Sequence, residues 1–244
     1  MEVLAGSVES PPSILGGNGR WLFDVDQRRQ QEVGGVAING KYLNGAFRRA
    51  SCEGGWGGGY DRRMLNPDEI RPLLKQWVIK VMPHESGDVF IEELCFIDKA
   101  RRADLVHANG KLSAFEIKSQ ADTLIRWVGQ QEAYLACFDE VWLCCHSRHL
   151  VKALEVSATN VGILVFDDFA GMVMVRKARS NKKQEKFHLT GFLWREELDR
   201  LARAHGVAVR SKDLIKTVRR LVSDALPLEV IRTFVLAVLK QRYA

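Results

Sequence analysis

A mixed α/β sheet with flanking helices, followed by a C-terminal helical region, is the fold class that this 244-residue chain predicts. Three observations carry it. Apolar residues recur at helical spacing from Ile70 to Val81, then change to a strand-like period beyond Phe90. Two short apolar runs, Val141 to Cys145 and Val161 to Phe166, have the length of buried strands, and a helical stretch around His149–Val156 lies between them, as a parallel crossover requires. Asn109-Gly110 is a strong hairpin signal, because both residues tolerate positive φ.

Taken in order, residues 1–65 predict a poorly ordered arm rich in glycine, as in Gly16-Gly17-Asn18-Gly19 and Gly54-Gly55-Trp56-Gly57-Gly58-Gly59. Such sequence loses much backbone entropy on ordering. No strand precedes these glycines, so they do not form a phosphate-cradling loop. Asn66 is an N-cap, Pro67 suits the first helical position, and Asp68 and Glu69 complement the helix dipole. Ile70, Leu73, Leu74, Trp77, Val78 and Val81 form one apolar face, and Pro83 ends that helix. Phe90 to Ile97 begins as a helix end or loop and becomes strand-like. Arg102–Ala108 and Lys111–Lys118 flank the hairpin turn. A helix follows from about Asp122 to Cys137, and Met172 to Val175 adds an edge strand. The domain bounded by 66–178 gives way to a basic linker over 179–186 and to helices up to residue 244. Ser211 caps one of these and Pro227 opens the last.

Composition narrows the functional classes. Charged residues make up 27% and hydrophobic residues 46%, as in an ordinary globular protein. No run approaches the ~18 apolar residues of a membrane helix, and the N-terminus lacks the pattern of a signal peptide. The five cysteines have no C-x-x-C spacing, so reduced thiols in a cytoplasmic protein are expected. Residues 171–244 carry 17 Lys+Arg against 7 Asp+Glu, a net of +10, whereas residues 1–170 carry 19 against 23, a net of −4. A basic C-terminal third is the footprint of a polyanion partner. A solvated basic surface explains it equally well.

The chemistry concentrates in Arg102-Ala103-Asp104-Leu105 and Phe115-Glu116-Ile117-Lys118-Ser119. Strand alternation points Glu116 and Lys118 to one face and Ile117 to the other. Asp104 and Glu116 stand at similar distances from the hairpin turn, so antiparallel pairing brings them to one height. Neighbouring carboxylates repel unless a cation lies between them, and carboxylate oxygens with a backbone carbonyl suit Mg²⁺. Lys118 can orient water or neutralise phosphate charge. By itself E-x-K is a common surface alternation. Its place in an apolar, central strand favours function, since charges are seldom buried there without a partner.

These residues resemble the core of the PD-(D/E)XK superfamily, the restriction-endonuclease-like nucleases, over about residues 66–166. Gln130-x-x-x-Tyr134 is similar to the Q-x-x-x-Y helix motif of RecB-like branches, and the whole resembles a group of small bacterial and phage proteins with a helical C-terminal region. The resemblance implies a metal-dependent nuclease acting on nucleic acid, DNA foremost. Its Mg²⁺, or Mn²⁺, would be held by Asp104, Glu116 and the carbonyl of Ile117. It further implies Glu93, with Glu92 as second choice, as a supporting acid, Gln130 and Tyr134 facing the metal site or the DNA, and Arg102 or Arg101 touching phosphate. Ala103 stands where many members have proline. A non-cleaving nucleic-acid-binding module of the same fold, or a protein-interaction factor recruiting partners through its helical tail, are the competing classes.

Other residues weigh less. Cys144-Cys145-His146 lacks the spacing of a zinc site. His107, as a lone histidine, reads as structural, and Trp127 as core. Gly191-Phe192-Leu193-Trp194 packs the helical tail. Around Gly206–Leu214 the chain faintly resembles helix-extended-helix DNA-binding modules, in which Lys212, Lys216, Arg219 and Arg220 could follow a phosphate backbone.

Overall fold

A computed structural model describes residues 64–169 and 171–244. The glycine-rich arm expected over 1–65, and Cys52 with it, lies outside the described residues apart from residues 64 and 65. Helix α1 (Pro67–Val81) starts at a reciprocal cap. The Asn66 side chain accepts the Glu69 N–H at 3.0 Å, and the Glu69 carboxylate accepts the Asn66 N–H at 3.0 Å. Its buried stripe is Ile70, Leu74 and Val78, which packs with Leu105, Phe115, Ile117 and Trp142 on one side of the sheet.

Six strands lie across a single sheet in chain order: β1 (Val89–Phe96), β2 (Arg101–Ala108), β3 (Leu112–Lys118), β4 (Glu140–His146), β5 (Gly162–Phe166) and β6 (Met172–Arg176). The β1–β2, β2–β3 and β5–β6 pairs are antiparallel, and β3–β4 and β4–β5 are parallel. Helices α2 (Ile125–Cys137) and α3 (Leu150–Val156) carry the two parallel crossovers. Gly110, at φ +88°, turns the β2–β3 hairpin. This is the mixed α/β sheet with flanking helices that the periodicity predicts.

Three boundaries differ from expectation. Strand β1 is extended from Val89, without the helical or loop start expected at Phe90. Helix α2 begins at Ile125, not Asp122, because Asp122 turns back on Ser119: its Oδ2 accepts the Ser119 N–H at 2.8 Å and the hydroxyl at 2.6 Å. Ser211 lies in a turn four residues before the helix Ile215–Ala225, whose N-cap is Leu214. That turn closes through Asp213, which accepts the Arg210 N–H at 2.8 Å.

The second side of the sheet is covered by α2 and α3 and by the C-terminal helices α4 (Lys186–Thr190), α5 (Arg195–Ala204), α6 (Ile215–Ala225) and α7 (Leu228–Tyr243). Leu189, Phe192, Leu198, Val218, Val222, Ile231 and Val235 share one buried cluster with Val106, Ala114, Leu143 and Ile163. Sheet and tail therefore exclude water from a common core. The basic stretch expected as a linker is anchored: Asn181 is buried and donates from Nδ2 to the Phe138 carbonyl at 2.9 Å. Phe192 and Leu193 are buried, but Trp194 is exposed, with the Arg242 guanidinium 3.9 Å over its ring.

Gly162 lies against the Trp142 ring, where an added Cβ would come within 2.2 Å of a ring carbon. Trp142 is itself packed between β3 and β5 and stacked on Phe115 at 5.9 Å. Gly162→Ala is expected to destabilise the protein by about 1–3 kcal/mol, the range for overpacked cores. Urea unfolding reads the loss. An unchanged midpoint would mean that Trp142 is free to move aside.

Candidate active site

Strand β3 is buried along nearly its whole length, and Glu116 sits in it only 4% exposed. Alternation places Glu116 on the side of Ala114, facing α2, while Phe115 and Ile117 face α1. A carboxylate in such surroundings needs compensation. Lys118, two residues on and on the same side, donates from Nζ to Oε1 at 2.6 Å. The Tyr134 hydroxyl, reaching from α2, donates to Oε2 and also meets the Arg102 carbonyl at 3.3 Å. Burial, then the charge of Glu116, push the Tyr134 phenol far above its ordinary range, so it stays a donor.

Asp104 comes from β2. The β2–β3 register pairs Leu105 with Phe115, which sets Asp104 beside Glu116, and Asp104 Oδ2 accepts the Ile117 N–H at 2.7 Å. Burial, then the neighbouring Glu116 carboxylate, raise its pKa to about 6, with Glu93 adding to the rise and the Ile117 N–H and Lys118 opposing it. Glu93 belongs to β1. Pairing holds at Glu92–Leu105 and Leu94–Ala103, so Glu93 stands opposite Asp104 where the ladder is interrupted. Its φ of +55° is a left-handed conformation that costs a non-glycine residue on the order of 1 kcal/mol or more. Its carboxylate pairs with Arg71 at 2.7 Å and with Arg102. Glu92 shares the Arg71 guanidinium, at 3.2 Å, and also pairs with Lys75.

The structure thus brings Asp104, Glu116 and Lys118 together, joins Tyr134 to them directly, and places Glu93 at their edge. Arg102 is largely exposed at the rim beside Glu93, and Arg101 is exposed at the strand end. The Ile117 side chain goes to the α1 core, and its N–H holds Asp104. Gln130, one turn before Tyr134, is half-buried, with its Oε1 buried and without a partner. The adjacent Gln131 is the structural glutamine, donating to the Val156 carbonyl and accepting the Ala158 N–H, both at 2.9 Å.

A second cluster was not legible as a group. His84, Asp88 and His107 each bring a donor atom within 4.8 Å of the others, the only such set of three or more histidine, cysteine or acidic side chains among the described residues. In sequence His107 stands alone, because His84 and Asp88 lie on the far side of β1. A histidine in β2 opposite Phe90 was the available signal.

Fold and site define a mixed-sheet α/β protein with a half-buried acid–acid–lysine cluster on adjacent central strands. The chain belongs to the family described as Bacteriophage P4 protein cII, which it matches over residues 65–244. It is similar to Protein cII of Enterobacteria phage P4, at 31% identity over 183 residues, covering 74% of this chain and 69% of that protein. It also matches a solved structure, the SPO1766 protein of unknown function from Silicibacter pomeroyi, at 20% identity. That match covers 52% of this chain and 86% of the other, with a TM-score of 0.32, too low to equate the folds.

Because the folded state holds the Asp104 proton more tightly than an unfolded chain, whose aspartate value is near 3.8, ionising Asp104 costs stability. The penalty is absent below the unfolded value and complete above about 6. In EDTA, Asp104→Asn should be more stable than wild type at pH 8, by up to about 3 kcal/mol, with the advantage fading toward pH 4. Urea melts across that range test it, and a pH-independent difference would contradict it.

Proposed function

We propose that the protein is a metal-dependent nuclease that hydrolyses phosphodiester bonds of nucleic acid, DNA foremost, and acts in the cytoplasm. One observation carries this reading: Asp104 and Glu116 lie on paired strands, the Glu116 carboxylate adds to the cost of ionising Asp104, and Lys118 stands beside them. A scaffold or binding module gains nothing from two carboxylates forced together, whereas a divalent cation between them offsets the repulsion. The donors fit a hard ion such as Mg²⁺ or Mn²⁺: oxygens of Asp104 and Glu116, with the Ile117 carbonyl. When bound, such an ion supplies charge compensation at phosphoryl oxygen and activation of water.

The protein's own groups account for the rest. Lys118 Nζ, now on Glu116, is within reach of an attacking water or a phosphate oxygen. Tyr134 fixes the Glu116 carboxylate. Glu93 assists at the edge, and Arg102 offers a phosphate contact at the rim. The unpartnered Gln130 Oε1 leaves an acceptor for substrate or water. Buried free thiols at Cys137, Cys144 and Cys145 agree with a reducing compartment, and no helix among the described residues is long and apolar enough to cross a membrane. A second reading has its own support. Leu214, 75% exposed, and Ile215 stand beside exposed Lys212 and Lys216, a surface suited to a protein partner or to nucleic acid held without cleavage.

Labelled linear and circular DNA, incubated with Mg²⁺, Mn²⁺ or EDTA, tests the proposal. Wild type should cut only with metal. Asp104→Ala and Lys118→Ala should each lower the rate at least ~100-fold, the scale for losing one electrostatic contributor. Equal cutting by all three proteins would indicate a contaminant. Binding that persists without cleavage under every condition would leave the second reading.

A further inference from the structure

On the side of the sheet opposite Asp104, three side chains from two segments converge. His84 and Asp88 flank a tight turn in which the Asp88 N–H reaches the Glu85 carbonyl at 2.9 Å and Asp88 Oδ2 accepts the Glu85 N–H at 2.8 Å. His107 lies in β2, fully buried, opposite Phe90 in the β1–β2 register. Its ring stacks on Phe90 with centroids 4.6 Å apart, and the His84 ring stacks on Phe90 at 5.5 Å. The two imidazoles are thereby held nitrogen to nitrogen, His84 Nδ1 to His107 Nε2 at 3.0 Å. Asn109, donating to the Pro83 carbonyl at 2.8 Å, ties the His84 segment to the hairpin.

We infer that His84, Asp88 and His107 bind one borderline divalent transition-metal ion, of the class of Zn²⁺ or Co²⁺, that clamps the α1–β1 connection to β2. Both rings are already ordered, so little entropy remains to be lost on binding. With metal–nitrogen distances of about 2.0–2.1 Å, a 3.0 Å separation of nitrogens subtends an angle near 95° at the metal, between the octahedral and tetrahedral requirements. Two imidazoles and one carboxylate favour such ions over Mg²⁺ or Ca²⁺, which take mostly oxygen. The charged groups facing the cluster are Lys111, from the hairpin, and Lys240, from α7. Lys240 sits on Asp88 Oδ1 at 2.9 Å and is the group that a metal ion would displace. This inference is independent of the nuclease proposal, whose donors are oxygens on the other side of the sheet.

Co²⁺ titration of the full chain, followed by visible absorption and by metal content after dialysis, tests it. With excess Mg²⁺ present to fill the acid cluster, one equivalent should bind with d–d bands and without the thiolate charge-transfer band that a cysteine site would give. His84→Ala and the near-isosteric Asp88→Asn should each weaken binding at least tenfold, the low end of what even outer-shell losses cost a metal site. Circular dichroism checks that both variants fold. Asp104→Ala should bind Co²⁺ as wild type does. Binding below one equivalent, or equal binding by the folded His84→Ala and Asp88→Asn proteins, overturns the inference and leaves the nuclease reading untouched. Loss of cobalt in Asp104→Ala alone would assign the ion to the acid cluster and overturn it as well.

Discussion

A carboxylate in the middle of an apolar sheet is the condition around which this molecule is arranged. Glu116 occupies the strand that joins the antiparallel and parallel halves of the sheet, and both of its neighbours in the chain point into core. Taking such a group out of water costs several kcal/mol unless charge and hydrogen bonds replace the solvent. The fold supplies them from two directions and sets a like charge in a third. Lys118 comes from the same strand, Tyr134 from the helix of the following crossover, and Asp104 adds a second negative charge from the other side. The first two compensate Glu116 and the third opposes it. That opposition is hard to account for as stability alone, because an asparagine or alanine at 104 would remove it. Clusters that keep an unfavourable charge are where chemistry is to be sought.

The β1 strand is strained at the same height. Glu93 adopts a left-handed conformation opposite Asp104, and the ladder between the strands lapses at that pair. The inward positions of β1 shift with it, from Val89 and Ile91 before the interruption to Leu94 and Phe96 after it. An edge strand that stayed regular would keep one face in the core along its length. The irregularity instead brings a third carboxylate toward Asp104 and sets Arg71 and Arg102 on it. Strain of this kind persists only where the surrounding structure imposes it. Here the core contacts of Ile91 and Leu94 on either side do so.

Local chemistry explains which parts of this were legible in the sequence. The cap at Asn66, the Asn109-Gly110 turn, and the shared face of Glu116 and Lys118 each depend on residues within a few positions of one another, and periodicity exposes them. The Tyr134 contact depends on how α2 lies across β3, so its spacing from Gln130 fixed a helix face but not a target. Strand β1 was obscured by Glu92-Glu93, which break alternation because one of them leaves the β region. Helix α4 starts at Lys186, the last residue of the stretch expected as a linker, and the helical pattern expected beyond that stretch begins with it. His84 and His107 are separated by a whole strand, and only pairing register makes them neighbours.

The basic tail shows the same limit from the side of charge. Summed along the sequence, the C-terminal third is a polyanion footprint, yet several of its cations are committed inside the fold. Arg219 is paired with Asp98 in the β1–β2 turn, Arg232 with Asp139 at the start of β4, Arg242 with Glu197, and Lys240 with Asp88. Arg220 lies over the Phe187 ring at 4.4 Å. Each of these pairs has at least one largely buried side chain, and the four, reaching from the tail to the sheet or to one another, fix the orientation of α5 to α7 on a core that apolar packing alone would leave less specific. The cations that remain exposed include Lys177, Arg179, Lys182 and Lys183 after β6, and Lys212 and Lys216 at the α5–α6 connection. A polyanion bound through Lys212 and Lys216 would lie near the α5–α6 connection. A phosphate backbone held there, and also reaching Arg102 at the acid cluster, would have to cross the surface between them, which sets a geometric condition on any substrate that engages both.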